Sequence, residues 1–157
     1  MTTLTEGVSM LGMVLVFRLA KLAGDEGFDR YVIVRRTVAF AFPVVLMGTM
    51  VGLTRFISMG GDDATRRRLL RGALSWVVPL GLALCLVCAL LPGPLSWLCF
   101  GDYAEAELVL PIGLMTLGIA LHGAAYGYLR GCGTVAKANI IQLFALAITP
   151  CAAFLLF

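Results

Sequence analysis

The sequence predicts an all-α, polytopic membrane bundle of about five transmembrane helices, formed as one unit over residues 1–157. Three observations predict it. The chain is 61% hydrophobic and only 13% charged, which would leave a soluble domain of this size with far too much exposed apolar surface. The apolar residues fall into long uncharged intervals, several of them near the roughly 20 residues that a helix needs to cross about 30 Å of hydrocarbon. Between these intervals stand arginines, carboxylates and Gly/Pro breakers.

Taken in order, the first span covers 7–23 and is the weakest, because Arg18 interrupts it. The second, 37–54, lies between Arg36 and Arg55. The third, 72–91, follows an arginine cluster and stops at Pro92, Gly93 and Pro94. The fourth, 108–129, carries no charge unless His122 is protonated, and the fifth, 138–157, ends on CAAFLLF without a closing charge. That ending leads us to expect a chain truncated at its C-terminus; the rival is a small five-helix protein. A secretory leader fits residues 1–23 poorly, since the cations follow the apolar run instead of preceding it.

Loop charges orient the bundle. Gly60–Arg71 carries Arg66, Arg67, Arg68 and Arg71 and is assigned to the cytoplasm. The stretch PGPLSWLCFGDYAEAE has carboxylates but no Lys or Arg and is assigned outside, and RGCGTVAK, with Arg130 and Lys137, returns inside. Trp76, Trp97, Tyr103, Tyr126 and Tyr128 fall near the interfaces this layout requires. The N-terminus is then cytoplasmic, and the first outer loop breaks the rule with Arg18, Lys21, Arg30, Arg35 and Arg36. Two explanations stay open: Asp25, Glu26 and Asp29 neutralise cations that snorkel to headgroups, or some cations face a polar cavity. The i, i+3 spacing of Arg18 and Lys21 places both on one helix face.

Small residues at intervals of four, Gly48 and Gly52, then Gly123, Gly127 and Gly131, predict close helix packing. Pro43, Pro79, Pro111 and Pro150 lie inside four spans and predict kinks. Catalytic chemistry is missing from the sequence. Cys85 and Cys88 form a CxxC inside an apolar helix with no second ligand pair, and His122 is the only histidine. There is no phosphate loop, and the external loop is short, so no enzyme, cofactor, metal or nucleic-acid partner is expected; the partner is the lipid bilayer.

AKLAGDEGFDRYVIVRR, Ala20–Arg36, resembles the A-R-L-L-G-x-E-x-F-G-x-Y-x-x-x-R-R segment of lipid-linked oligosaccharide flippases, the Wzx-like polysaccharide biosynthesis proteins of the MOP superfamily. LRGCGTVAKANIIQL, Leu129–Leu143, is similar to that family's L-R-G-x-G-x-x-x-x-A-N-x-x-Q-L, and LCFGDYAEAELVLPI, Leu98–Ile112, to its outer hairpin. Lys21 stands where the family carries Arg, Asp29 where it carries Gly, and Arg18 is an additional cation. The resemblance implies part of the N-terminal lobe of a transporter of about 12–14 helices working by alternating access. It implies export of an undecaprenyl-diphosphate-linked oligosaccharide across a bacterial cytoplasmic membrane, with Arg18, Lys21 and Arg55 lining a cationic cavity. Arg66, Arg67, Arg68 and Arg71 would set topology and attract anionic headgroups. The alternatives are a MATE-like multidrug or cation exporter, disfavoured because no expected span holds Asp or Glu, and a membrane scaffold that packs through its glycine faces.

Overall fold

The computed structural model describes residues 14–145 apart from 19 and 23. Helix α1 is Gly24–Leu46, α2 Thr49–Ser58, α3 Asp63–Leu90, α4 Pro92–Phe100, α5 Ala106–Gly131 and α6 Val135–Leu143. Residues 14–18 and 20–22 are also helical, and Phe17 among them packs on Phe28 and Tyr31 of α1. No strand occurs among the described residues. By length and composition α3 and α5 can each cross a membrane, and α1 with α2 makes a third span if the pair, bent by 45°, counts as one.

The second expected span, 37–54, differs most from what is observed. Residues 24–36, expected as a charged loop, belong to α1. Charge decides where a segment sits in lipid, not whether its backbone is helical. Asp25 and Glu26 in the first turn suit the positive end of the helix dipole. Glu26 accepts from Arg30 at 2.9 Å across one turn, and the Thr37 hydroxyl donates back to the Ile33 carbonyl at 3.0 Å. The helix stops instead at Met47 and Gly48, with φ of 44° and 71°. Two consecutive left-handed residues cannot continue a right-handed helix, and glycine takes the second at no steric cost. Pro43 lies one turn upstream, whereas Pro79 and Pro111 sit inside α3 and α5 without ending them.

Helix α3 also starts earlier than expected. Asp62 caps it, its carboxylate accepting from the Thr65 amide at 3.0 Å, so Arg66 to Arg71 lie on the first two turns and not in a loop. At 28 residues α3 is about 42 Å long, which leaves room for these charged turns outside about 30 Å of hydrocarbon. Helix α5 brackets its expected limits, 108–129, by two residues at each end. The segment expected outside holds an unexpected helix, α4, with proline in its first turn and a left-handed Gly101 after it. The fifth span, 138–157, begins inside Val135–Leu143, a helix that starts three residues earlier than expected; Pro150 and the other residues from 146 on lie outside the described residues, as does most of the first span.

Helix α5 is the axis of the bundle: α1, α2, α3, α4 and α6 all pack on it. Arg30 meets Glu105 just before its start, and Ile57 meets Gly131 at its end, so the α1–α2 pair runs parallel to it. Helix α3 runs the other way, Gly81 facing Leu117 and Cys88 facing Gly113. Val45, Leu46, Val77 and Ala120 form one buried cluster, and Leu53, Ile57 and Ala124 a second nearer the arginine-rich end.

Candidate functional site

Helix α5 presents a glycine face to the broken helix. A Cβ on Gly127 would lie 2.6 Å from the Met50 carbonyl oxygen, and one on Gly131 2.8 Å from the Ile57 Cβ. Gly123 faces Leu46 and Phe42 at the level where α1 ends. The Thr54 hydroxyl, 2.8 Å from its own helix's Met50 carbonyl, also lies 3.1 Å from the Gly127 carbonyl of α5. Close backbone approach and one polar link between helices are the means by which helices associate in lipid, where burial of apolar surface gives no preference for a neighbour over an acyl chain.

Gly48 and Gly52 have the same spacing but no such role: a Cβ on either would meet nothing within 4 Å. Gly48 makes the break and Gly52 faces open space. The break is steadied from α3, whose Trp76 indole N–H points at the Met47 sulfur at 3.2 Å.

The bundle's ends differ in charge. Near the end of α2, the start of α3 and the α5–α6 junction stand Arg55, Arg66, Arg67, Arg68, Arg71, Arg130 and Lys137, against only Asp62 and Asp63. Arg66 pairs with Asp63 at 3.5 Å, while Arg55, Arg67, Arg68 and Arg71 are exposed. Arg130 lies over the Tyr126 ring, 5.6 Å from its centre. Hydrogen bonds from the Thr65 hydroxyl and amide hold the Asp62 carboxyl below its ordinary value.

At the opposite end, Arg18, Lys21, Arg30, Arg35 and Arg36 are matched by Asp25, Glu26, Asp29, Asp102, Glu105 and Glu107. Arg30 bridges Glu26 at 2.9 Å and Glu105 at 2.7 Å; Glu105 is only 15% exposed, so this pair ties α1 to the turn before α5. Arg35, five residues and about 7.5 Å further along α1, lies 4.7 Å above the Phe17 ring, which packs edge-on against Phe28 and Tyr31.

The three expected cavity cations are not brought together. Arg18 and Lys21 are exposed at the acidic end, and Arg55 is in the last turn of α2 at the other. At the acidic end the engaged cations are instead Arg30 and Arg35, both expected in the first outer loop. The Glu26/Arg30 spacing of four was a readable signal; the partnership with Glu105 was not.

Among the described residues no group of three or more His, Cys, Asp or Glu side chains is placed to hold a metal. Cys85 and Cys88 are buried against Gly113, and His122 stacks on Tyr126 with ring centres 6.2 Å apart. No family model, curated protein or solved structure matches the chain.

Proposed function

We propose that the chain is part of a multi-pass transporter that moves a lipid-linked oligosaccharide across a bacterial cytoplasmic membrane, with its N-terminus in the cytoplasm. The observation that carries the transport reading is the discontinuous α1–α2 helix, bent by 45° at Met47–Gly48 and held along the glycine face of α5. At this break the Met47 amide still donates to the Pro43 carbonyl at 2.8 Å, and the Trp76 indole of α3 covers the Met47 sulfur. Transporters use such breaks to bend one element against another. The cation-rich end supports the orientation, since Lys and Arg are favoured on the cytoplasmic side.

The substrate class rests on the resemblance of Ala20–Arg36 and Leu129–Leu143 to oligosaccharide flippases. A diphosphate and its sugars cannot cross hydrocarbon unaided, because each buried, unpaired polar group costs several kcal/mol. On this reading Arg18 and Lys21 meet the diphosphate at one mouth of a path and Arg55 at the other, in place of a single cationic lining.

The experiment is deletion of the gene in its host. Lipid-linked oligosaccharide is expected to accumulate on the cytoplasmic leaflet while surface glycan falls, with restoration by the full-length wild-type gene. The double variant Arg18→Ala/Lys21→Ala is expected to restore it poorly at equal membrane abundance. Unchanged surface glycan in the deletion strain, with no accumulated precursor, overturns the function; full restoration by the double variant overturns the role of the two cations.

A further inference from the structure

Between α2 and the first turns of α3 lies a groove of about 440 Å³, within the range of about 300–1,000 Å³ that holds small molecules. Thr49, Gly52, Leu53 and Phe56 line it from one helix. Their spacing of three and four is one continuous face of α2. Thr65, Arg68, Leu69, Gly72 and Ala73 line it from the other, again as one helix face. The groove exists because its two glycines carry no side chain: a Cβ on Gly52 or on Gly72 would meet nothing within 4 Å.

Its two ends differ. Helices α2 and α3 run in opposite directions, so Phe56, Thr65 and Arg68 meet at the arginine-rich end, while Thr49, Gly72 and Ala73 meet one to two turns deeper. Of the clustered arginines on α3, only Arg68 lies on the groove face. Arg66 is drawn to Asp63 at 3.5 Å, whereas Arg68 has no ion-pair or hydrogen-bond partner among the described residues. A slot that is apolar along its depth and carries one guanidinium at its polar mouth is complementary to a molecule with an apolar tail and an anionic head.

We propose that this groove seats one anionic phospholipid of the surrounding bilayer, its phosphate on Arg68 and part of an acyl chain between Leu53, Phe56 and Leu69 over Gly52 and Gly72. The guanidinium fork suits phosphate oxygens. Its position on the second turn of α3 puts it at headgroup depth, where the helix outruns the hydrocarbon. The seat spans the two helices that flank the Ser58–Asp63 connection and abuts Thr49, the first residue after the break, so a bound lipid bridges the bent segment to α3. It does not depend on what the protein transports.

Trp76 reports on the seat. It lies one turn beyond Gly72 and Ala73, with its indole against Met47, and it is one of two tryptophans in the chain. The full chain carrying Trp97→Phe is reconstituted in phosphatidylcholine vesicles, and quenching of Trp76 by brominated phosphatidylglycerol is compared with quenching by brominated phosphatidylcholine. Quenching by the anionic lipid is expected to saturate, with about a fivefold preference over the zwitterionic one, as one cation near an anionic headgroup supplies. Arg68→Ala should bring the preference to parity, Arg67→Ala should leave it, and Gly52→Leu, whose Cβ meets nothing within 4 Å and whose side chain would occupy the groove, should weaken saturable quenching by both lipids.

Equal quenching by the two lipids in the parent protein overturns the proposal. So does an equal loss of preference in Arg67→Ala and Arg68→Ala, which marks a diffuse basic surface. Quenching that Gly52→Leu leaves intact, or the absence of quenching by either lipid because another part of the chain fills the groove, overturns it as well.

Discussion

Two glycine runs with the same four-residue spacing do opposite things in this bundle. Gly127 and Gly131 on α5 let α2 come so close that an added carbon would lie 2.6 Å from the Met50 carbonyl oxygen or 2.8 Å from the Ile57 Cβ, while Gly123 packs tightly on the Leu46 side chain, 3.3 Å from where its Cβ would stand. Gly48 and Gly52 approach nothing; one turns the chain out of its helix and the other leaves a groove open. Spacing alone therefore establishes that a helix has a thin face. What stands opposite that face, another backbone, a bend or lipid, is set by the rest of the fold.

The largest effect belongs to the thin face that is filled. Gly127→Leu places Cβ within 2.6 Å of the Met50 carbonyl, which is backbone and cannot swing aside, so α5 and α2 must separate and the Thr54 link breaks with them. A loss of about 3 kcal/mol or more is expected, at the upper end of overpacking. The check is the denaturant midpoint in mixed micelles, and a midpoint equal to wild type would mean that the helices do not touch there.

Gly52→Ala inverts the sign. The added methyl meets nothing within 4 Å, and alanine improves on glycine inside a helix by about 0.5–1 kcal/mol. The same assay should show a raised midpoint; a drop as large as that of Gly127→Leu would erase the distinction between the two runs. A smaller change follows from Thr54→Val, which keeps the shape and removes the hydroxyl between Met50 and Gly127. Interhelical hydrogen bonds in membranes average about 0.6 kcal/mol, and the destabilisation should be of that size.

What could be read in the sequence follows the same division. The helical class and the limits of α5 were legible, because hydropathy measures lipid depth and α5 is apolar almost end to end. Hydropathy is silent on backbone continuity, so the charged residues 24–36 and the arginine turns of α3 read as loops although both are helix. Pro43 hinted at irregularity in the second span, but the break came a turn later, at residues whose positive φ no composition rule marks. The separate placing of the expected cavity cations was hidden for a related reason. Arg18, Lys21 and Arg55 share a charge, but the register that sends Arg55 to the far end and joins Arg30 to Glu105 across 75 positions of sequence arises only when α1 and α5 pack in parallel.

The smallest effect concerns the arginine-rich end. Asp62 starts α3 by accepting hydrogen bonds from Thr65, and these hold its carboxyl below the ordinary value. A group whose folded-state pKa is depressed stabilises the fold fully above its unfolded value, and that contribution is lost as the pH falls through the folded-state value. Acidification should thus loosen the first turn of α3. Hydrogen exchange resolved to single amides checks this: protection at Thr65 should fall through the acid range in the wild-type protein, and Asp62→Asn should lower it at neutral pH and flatten the pH profile. A Thr65 amide equally protected across the acid range would show that the carboxylate is not the cap, and the arginines of α3 would then begin on a turn held by packing against α2 alone.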